Sequence, residues 1–177
     1  MASGRGLDEI FGPGELYVNP TDLTGTSGQG LGYTRDGVLL RPHVNAISVY
    51  PDEKGVELLK KIHGGIKWIL AANLIQYNPT LAAYYFPGTT ASYRNSLLLG
   101  SAISAVKLLW VPEDTTNTPA IYFRKAIGHL EAQAAIKLQL GENPEPAVFP
   151  MVFENATPQD SSPNTSVQIA ALSSITL

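Results

Sequence analysis

Apolar and polar residues alternate in short blocks along this chain, and most of the blocks predict strands. "ELYVNP" at 15–20 predicts a short strand that Pro20 ends, after a Gly-rich, unpatterned stretch at 1–14 that reads as an arm. "TDLTGTSGQGLG" at 21–32 is a loop by composition. In "YTRDGVLLRP" the pair Asp36-Gly37 lies between two β-prone stretches and predicts a hairpin, because a type I′ turn needs positive φ at both central positions. "VNAISVY" at 44–50 is the next strand, stopped by Pro51.

Residues 52–65, "DEKGVELLKKIHGG", support two readings. Val56, Leu59 and Ile62 stand near helical spacing, with Asp52 as cap and Gly64-Gly65 as terminator. The alternative is a long hairpin arm. "IKWILAANLIQYNPTLAAYYFPG" follows at 66–88, with Lys67 as its one charge. Its β-formers and partial alternation predict a long strand over 65–77. Asn78-Pro79 then starts a short helix, with Asn as cap and Pro at the first helical position, which Pro87-Gly88 closes.

Residues 89–101 read as a polar loop, "AISAVKLLWVPE" at 102–113 as a strand and "AIYFRKAIG" at 120–128 as another. The stretch 129–142 is helical by propensity but alternates well enough for a strand. "AVFPMVFEN" is a strand in which Pro150 marks an edge or bulge position. Residues 157–177 form a Ser/Thr-rich C-terminal arm that ends in strand-like "VQIAALSSITL". Seven to ten short strands with at most two or three helices predict a mainly β chain. The architecture expected is an antiparallel β-sandwich or barrel with one or two short flanking helices, as a single domain over 1–177 with arms at 1–14 and 157–177.

Composition changes this picture in one respect. Charged residues make up 15% of the 177, where about a quarter is usual. Residues 64–112 hold three bases and no acid. The middle third therefore reads as core and as a surface that other subunits cover. The apolar run is broken by Lys67, Asn73, Gln76, Asn78 and Pro79, too often for a membrane span of about 18 residues. "MASGRGLDEIFGPGELYV" lacks the basic start and apolar core of a secretory signal. Net charge is −3, without the basic patch of a nucleic-acid binder.

Candidate chemistry is thin. Gly28, Gly30 and Gly32 give GxGxG rather than GxGxxG, and no GK[ST] follows. His43, His63 and His129 show no metal-ligand spacing, and there is no cysteine. Ser27 lacks the nucleophile-elbow glycines. The carboxylate pairs Asp8-Glu9, Asp52-Glu53 and Glu113-Asp114 all fall in expected loops, where solvation explains them. Trp68, Tyr77, Tyr84, Tyr85, Tyr93, Trp110 and Tyr122 suit core or interface packing better than a stacking platform, which needs a basic groove. The expectation is a protein without catalytic residues, metal or cofactor, built for assembly.

Two stretches carry a resemblance. "GPGELYVNPTDL" followed by "GYTRDGV" is similar to the N-terminal pattern of bacteriophage tail tube proteins (major tail proteins), and "GGIKWILAANLIQYNPTLAAYYFPG" resembles that family's long strand and following helix. The likeness covers roughly residues 12–50 and 64–88, and 103–155 only as a strand pattern. His63-Gly64-Gly65 departs from the acidic start common in that strand. The resemblance implies hexameric rings that join their sheets around a lumen and stack into a tube in the virion tail, after synthesis in the bacterial cytoplasm. Partners implied are further copies of the chain, other tail proteins (tape measure, baseplate, terminator, sheath) and double-stranded DNA as passing, non-specific cargo. The stretch 52–63 corresponds to a loop bridging subunits or rings, which nominates Asp52, Glu53, Lys54, Glu57, Lys60 and Lys61 as interface residues, with Trp68, Leu70 and Leu74 on the long strand. A charge at Leu74 or Leu81 is expected to block folding or polymerisation. Two other readings compete: a terminator, baseplate or head–tail connector ring of related fold, and a carbohydrate-binding sandwich using an exposed Trp68 or Trp110.

Overall fold

The computed structural model describes residues 9–23, 29–49, 60–75, 104–130, 148–156 and 167–177. These form eight strands: β1 (Glu9–Phe11), β2 (Gly14–Val18), β3 (Gln29–Val49), β4 (Lys60–Leu74), β5 (Val106–Pro112), β6 (Ala120–Leu130), β7 (Phe149–Asn155) and β8 (Val167–Ala170). A 3-10 turn at Leu172–Ser174 is the helical element among the described residues. The neighbour order β3-β2-β5-β6-β7-β4 is entirely antiparallel, and β3 pairs with β4 to close it. The chain is therefore a closed six-stranded antiparallel barrel. The expected helix at 78–87 lies outside the described residues.

Alternation fills the interior. Leu16 and Val18 of β2 point inward between Glu15 and Tyr17, and Phe149, Met151 and Phe153 of β7 point inward between Pro150 and Val152. With Leu31, Val38, Leu40, Leu70, Leu74, Leu108, Trp110, Ile121 and Phe123 they make one continuous core. A barrel of this size has room for side chains only. A second cluster covers the outside of β5 and β6. There Leu109, Ala120 and Tyr122 pack under Ile175, flanked by Leu172 and Leu177. The C-terminal "VQIAALSSITL", read as a final strand or arm, is a strand over Val167–Ala170, β8 on β6, followed by a fold-back. The Gln168 side chain holds that fold-back, donating to the Thr176 carbonyl at 3.0 Å and accepting from its N–H at 3.0 Å.

Tyr122 is fully buried in this cluster, and its hydroxyl has no hydrogen-bond partner among the described residues. Burial pushes the phenol pKa up, opposed in part by the Arg124 charge. An unpaired buried hydroxyl is unfavourable, so removing it should not harm the fold. Tyr122→Phe is expected to leave the urea midpoint unchanged or raise it slightly. A loss of more than about 1 kcal/mol would reveal a partner for the hydroxyl.

Asp36-Gly37 does not turn the chain. β3 runs straight through it, with Arg35 opposite Asn73 and Val38 opposite Ala72, so two residues bulge out against none on β4. Both take positive φ, 62° and 84°. The local conformation expected of the dipeptide is present, but it bends a strand instead of reversing it. On β3's other edge the break between β1 and β2 at Gly12-Pro13 faces the same bulge: Phe11 pairs with Val38, and Glu15 with Tyr33. Residues 9–11 and 14, read as part of the arm, thus belong to the sheet, as do 29–32 of the expected loop.

Buried Thr34 bridges this break. Its hydroxyl accepts from Gly14 N–H at 3.2 Å and donates to Gly14 C=O at 3.1 Å. Pro112, opposite Gly14 on β5, has no N–H to offer. Gly14 must be glycine, because a Cβ there would strike the Val111 carbonyl and the Trp110 indole. Thr34→Val keeps the shape and strands two buried backbone groups. It should destabilise by about 2 kcal/mol or more, read from chemical denaturation; a smaller loss would show that water reaches the break.

Candidate functional site

The barrel accounts for only part of β3 and β4. β3 is 21 residues long and β4 15. The last β1 partner on β3 is Leu40, and the last β7 partner on β4 is Ile69. Beyond these, among the described residues, Arg41–Val49 and Lys60–Trp68 pair with each other alone, down to Val49 opposite Lys60. A two-stranded ribbon of roughly nine residues, about 30 Å at ~3.3 Å per residue, therefore projects from the barrel. Of the two readings of 52–65, the hairpin arm holds for residues 60–65, which are strand. Opposite Asn45 the ladder skips one extra β4 residue at Gly64-Gly65, a bulge that sharpens the twist.

The ribbon's root is closed off on both edges. Trp68 N–H donates to the Asn155 side chain at 2.6 Å, so a side chain replaces the backbone partner where β7 stops. Lys67 pairs with Glu154 at 2.6 Å beside it. Because Trp68 N–H points toward β7, the Pro42–Trp68 pair is a non-hydrogen-bonded one, and Pro42 turns its missing N–H to the edge of β3 away from β4, where no described residue pairs with it. Proline there blocks strand addition at no loss to the ladder.

The ribbon's faces differ. The inward row Leu40–Leu70 continues as Pro42–Trp68 and then Val44–Ile66. Leu40 and Leu70 are core, Trp68 packs on the core's edge, and Val44 and Ile66 are 49% and 42% exposed. The opposite face carries Arg41, His43 and Lys67, all exposed. The apolar face of the barrel thus runs out onto the arm, where Val44 and Ile66 stand half exposed. Few other large apolar side chains are as open among the described residues: Tyr33 and Ile169.

This placement sorts the residues nominated from sequence. Leu70 and Leu74 are fully buried in the subunit's own core, which corrects their assignment to an interface. Trp68 sits half-buried at the ribbon root. Lys60 and Lys61 stand at the ribbon's far end, opposite Val49 and Ser48. Asp52, Glu53, Lys54 and Glu57 lie outside the described residues. Val44 and Ile66 were not nominated, although their alternation with Leu40 and Leu70 was the available signal. The carbohydrate reading loses its platform, since Trp110 is fully buried and Trp68 leans on the core.

The remaining chemistry is structural. Asp114 accepts from the N–H groups of Thr116 and Asn117 and from the Asn117 amide, contacts led by the last that hold its carboxyl below the usual range. This is a turn, as solvation of the Glu113-Asp114 pair implied. Tyr17 donates to Glu15 at 2.6 Å, and burial together with that bond raises its pKa. Among the described residues no three His, Asp or Glu side chains gather as a metal site, and no helix is long and apolar enough to cross a membrane. No family model and no curated protein matches the chain.

Proposed function

We propose that the protein is a structural subunit that polymerises through its ribbon, forming stacked rings of a bacteriophage tail tube. The observation that carries this reading is the row Pro42–Trp68 and Val44–Ile66, an extension of the core face left open on an arm. A two-stranded ribbon is marginal by itself in water and gains stability once its apolar face is covered. The blocked edges at Pro42 and Asn155 favour contact through that face over strand addition. The six barrel strands have no free edge to donate, and among the described residues the arm carries the longest stretch of two-stranded sheet outside the barrel. An arm from one copy on the body of the next is a head-to-tail contact, which closes into rings or continues as a filament. The sequence resemblance and the low charge supply the choice of tail tube among such assemblies. The function is then mechanical, without catalysis, and a mildly acidic wall would let DNA slide rather than bind.

Negative-stain electron microscopy at rising protein concentration, with and without a tail initiator complex, tests this. Stacked rings or hollow tubes are expected. Single rings that never stack would move the protein to the terminator or connector class. A monomer under every condition would overturn the proposal.

A further inference from the structure

The arm leaves the barrel where a multi-stranded sheet becomes a two-stranded ribbon, at Leu40 on β3 and Ile69 on β4. A ribbon at such a junction pivots unless something fixes it, because two strands alone resist twisting and bending weakly. Here the last two residues of β7 reach past the end of their own ladder. The β7 backbone parts from β4 at the Glu154–Ile69 pair and goes on along β6, with Asn155 opposite Ala126 and Ala156 N–H donating to the Lys125 carbonyl at 2.9 Å. Side chains cross the gap that this leaves. Asn155 Oδ1 accepts from Trp68 N–H at 2.6 Å, one residue beyond the last backbone pair. Glu154 meets Lys67 Nζ at 2.6 Å, a diagonal contact two residues along the same face of β4 from Ile69. On the other face the Trp68 side chain packs against the core.

We infer that Asn155 and Glu154 are positioning residues that aim the arm, holding the ribbon at one angle to the barrel before it meets another copy. The inference rests on the assembly reading above and adds to it how the Val44–Ile66 row is presented. The three restraints act in different directions. The Asn155 bond lies in the sheet and keeps the ribbon from splaying away from the end of β7. Lys67–Glu154 braces the outer face and Trp68 the inner, so bending either way strains one of them. The ion pair is partly exposed, 46% at Lys67 and 34% at Glu154, so water competes with it. The amide-to-backbone bond beside the packed Trp68 therefore carries more of the hold. A side chain also does this with less chain than another β7 residue would need, since the carboxamide satisfies Trp68 N–H without carrying β7 out along the arm. An arm aimed in advance loses less freedom on contact, which strengthens each contact without adding area to it.

The chain has no cysteine, so a pair of nitroxide labels goes only where cysteines are introduced. Ser48→Cys on the ribbon and Thr115→Cys between β5 and β6 both lie at exposed positions. Double electron–electron resonance on dilute, unassembled protein should give one narrow distance distribution. Asn155→Leu/Glu154→Gln should widen it about twofold or more, as expected of a ribbon left to itself, while the barrel still melts cooperatively. Asn155→Asp keeps an acceptor oxygen and should keep the distribution narrow. Lys67→Ala, at an exposed position, should widen it by a smaller amount and covers the case in which the double variant does not fold. A distribution already broad in the parent, or equally narrow in every folded variant, would overturn the inference, as would an Asn155→Asp arm as wide as the Asn155→Leu/Glu154→Gln one. In assembly the Asn155→Leu/Glu154→Gln protein should need a concentration about fivefold higher or more, since each contact must then order the arm. Rings formed at the parent's concentration by a variant with a widened arm would overturn the part that the clasp plays in assembly. An arm that widens as expected in a protein that never forms rings would remove the assembly reading and leave the clasp.

Discussion

Leu70→Asp is expected to yield no folded barrel. Leu70 is fully buried, paired with Leu40 on β3 and Phe153 on β7, where both neighbours belong to the core. Truncating a buried leucine removes about 2–5 kcal/mol. The carboxylate adds the expense of a buried charge, and among the described residues no cation lies in the interior to pair with it; the buried polar residue among them is Thr34. Protonation lowers that expense without removing it, because the neutral acid still lacks hydrogen bonds. The sum is about 5 kcal/mol or more, against a total stability of about 5–15 kcal/mol for a domain of this kind. Far-UV circular dichroism and dye binding on the purified variant should show an unfolded or molten chain. Leu70→Met, which conserves volume, should lose less than about 1.5 kcal/mol and serves as the control. Native spectra and cooperative melting for Leu70→Asp would remove Leu70, and with it the closure of β3 on β4, from the core.

The strands were legible in the sequence wherever an element depends on its own residues. β2, β5, β6 and β7 follow from alternation and bounding turns, and their ends lie within a few residues of the expected ones. What depends on distant partners was not legible. Asp36-Gly37 encodes two positive φ values, and these are the same in a hairpin and in a bulge. Which one forms is decided by whether β4 is present to pair on both sides of it. Helical spacing in 52–65 likewise gave way, at residues 60–65, to a partner strand that local propensity does not see. The burial of Leu70 and Leu74 was not legible for the same reason. Leu70 and Ile66 sit on one face of one strand, and nothing in their own sequence distinguishes them. The difference is that β7 ends at Asn155 and, among the described residues, β1 pairs no further than Leu40, so described neighbours cover one and not the other. The nominated residues therefore included the core leucines Leu70 and Leu74 and not the exposed Val44 and Ile66. Nor does a sequence choose easily between sandwich and barrel, because closure rests on one long-range pairing, β3 with β4.

That contrast sets the second large effect. Val44→Asp/Ile66→Asp should leave the monomer folded and prevent it from assembling. Both side chains are about half exposed, directly opposed, and one pair beyond the edge of the core. Neither side chain belongs to the barrel core, so the stability should change by no more than ordinary surface changes do, about 0.5 kcal/mol. In an assembly whose contact covers this row the result is different. Completing the burial of two half-exposed aliphatic side chains is worth about 1 kcal/mol each. The aspartates lose that gain and add two opposed, like charges that must leave water. A loss of about 3 kcal/mol per contact raises the critical concentration at least a hundredfold, since every 1.4 kcal/mol is a factor of ten. Sedimentation velocity across a concentration series measures it. His43→Asp is the matched control: it adds an acid to the same ribbon, but on the face that carries Arg41 and Lys67, and should shift assembly far less. Equal losses in both variants would mean that the arm acts through its charge or its backbone edges. Normal rings from Val44→Asp/Ile66→Asp would show that the open row is left in solvent by the finished particle, and the ribbon would no longer support an assembly function.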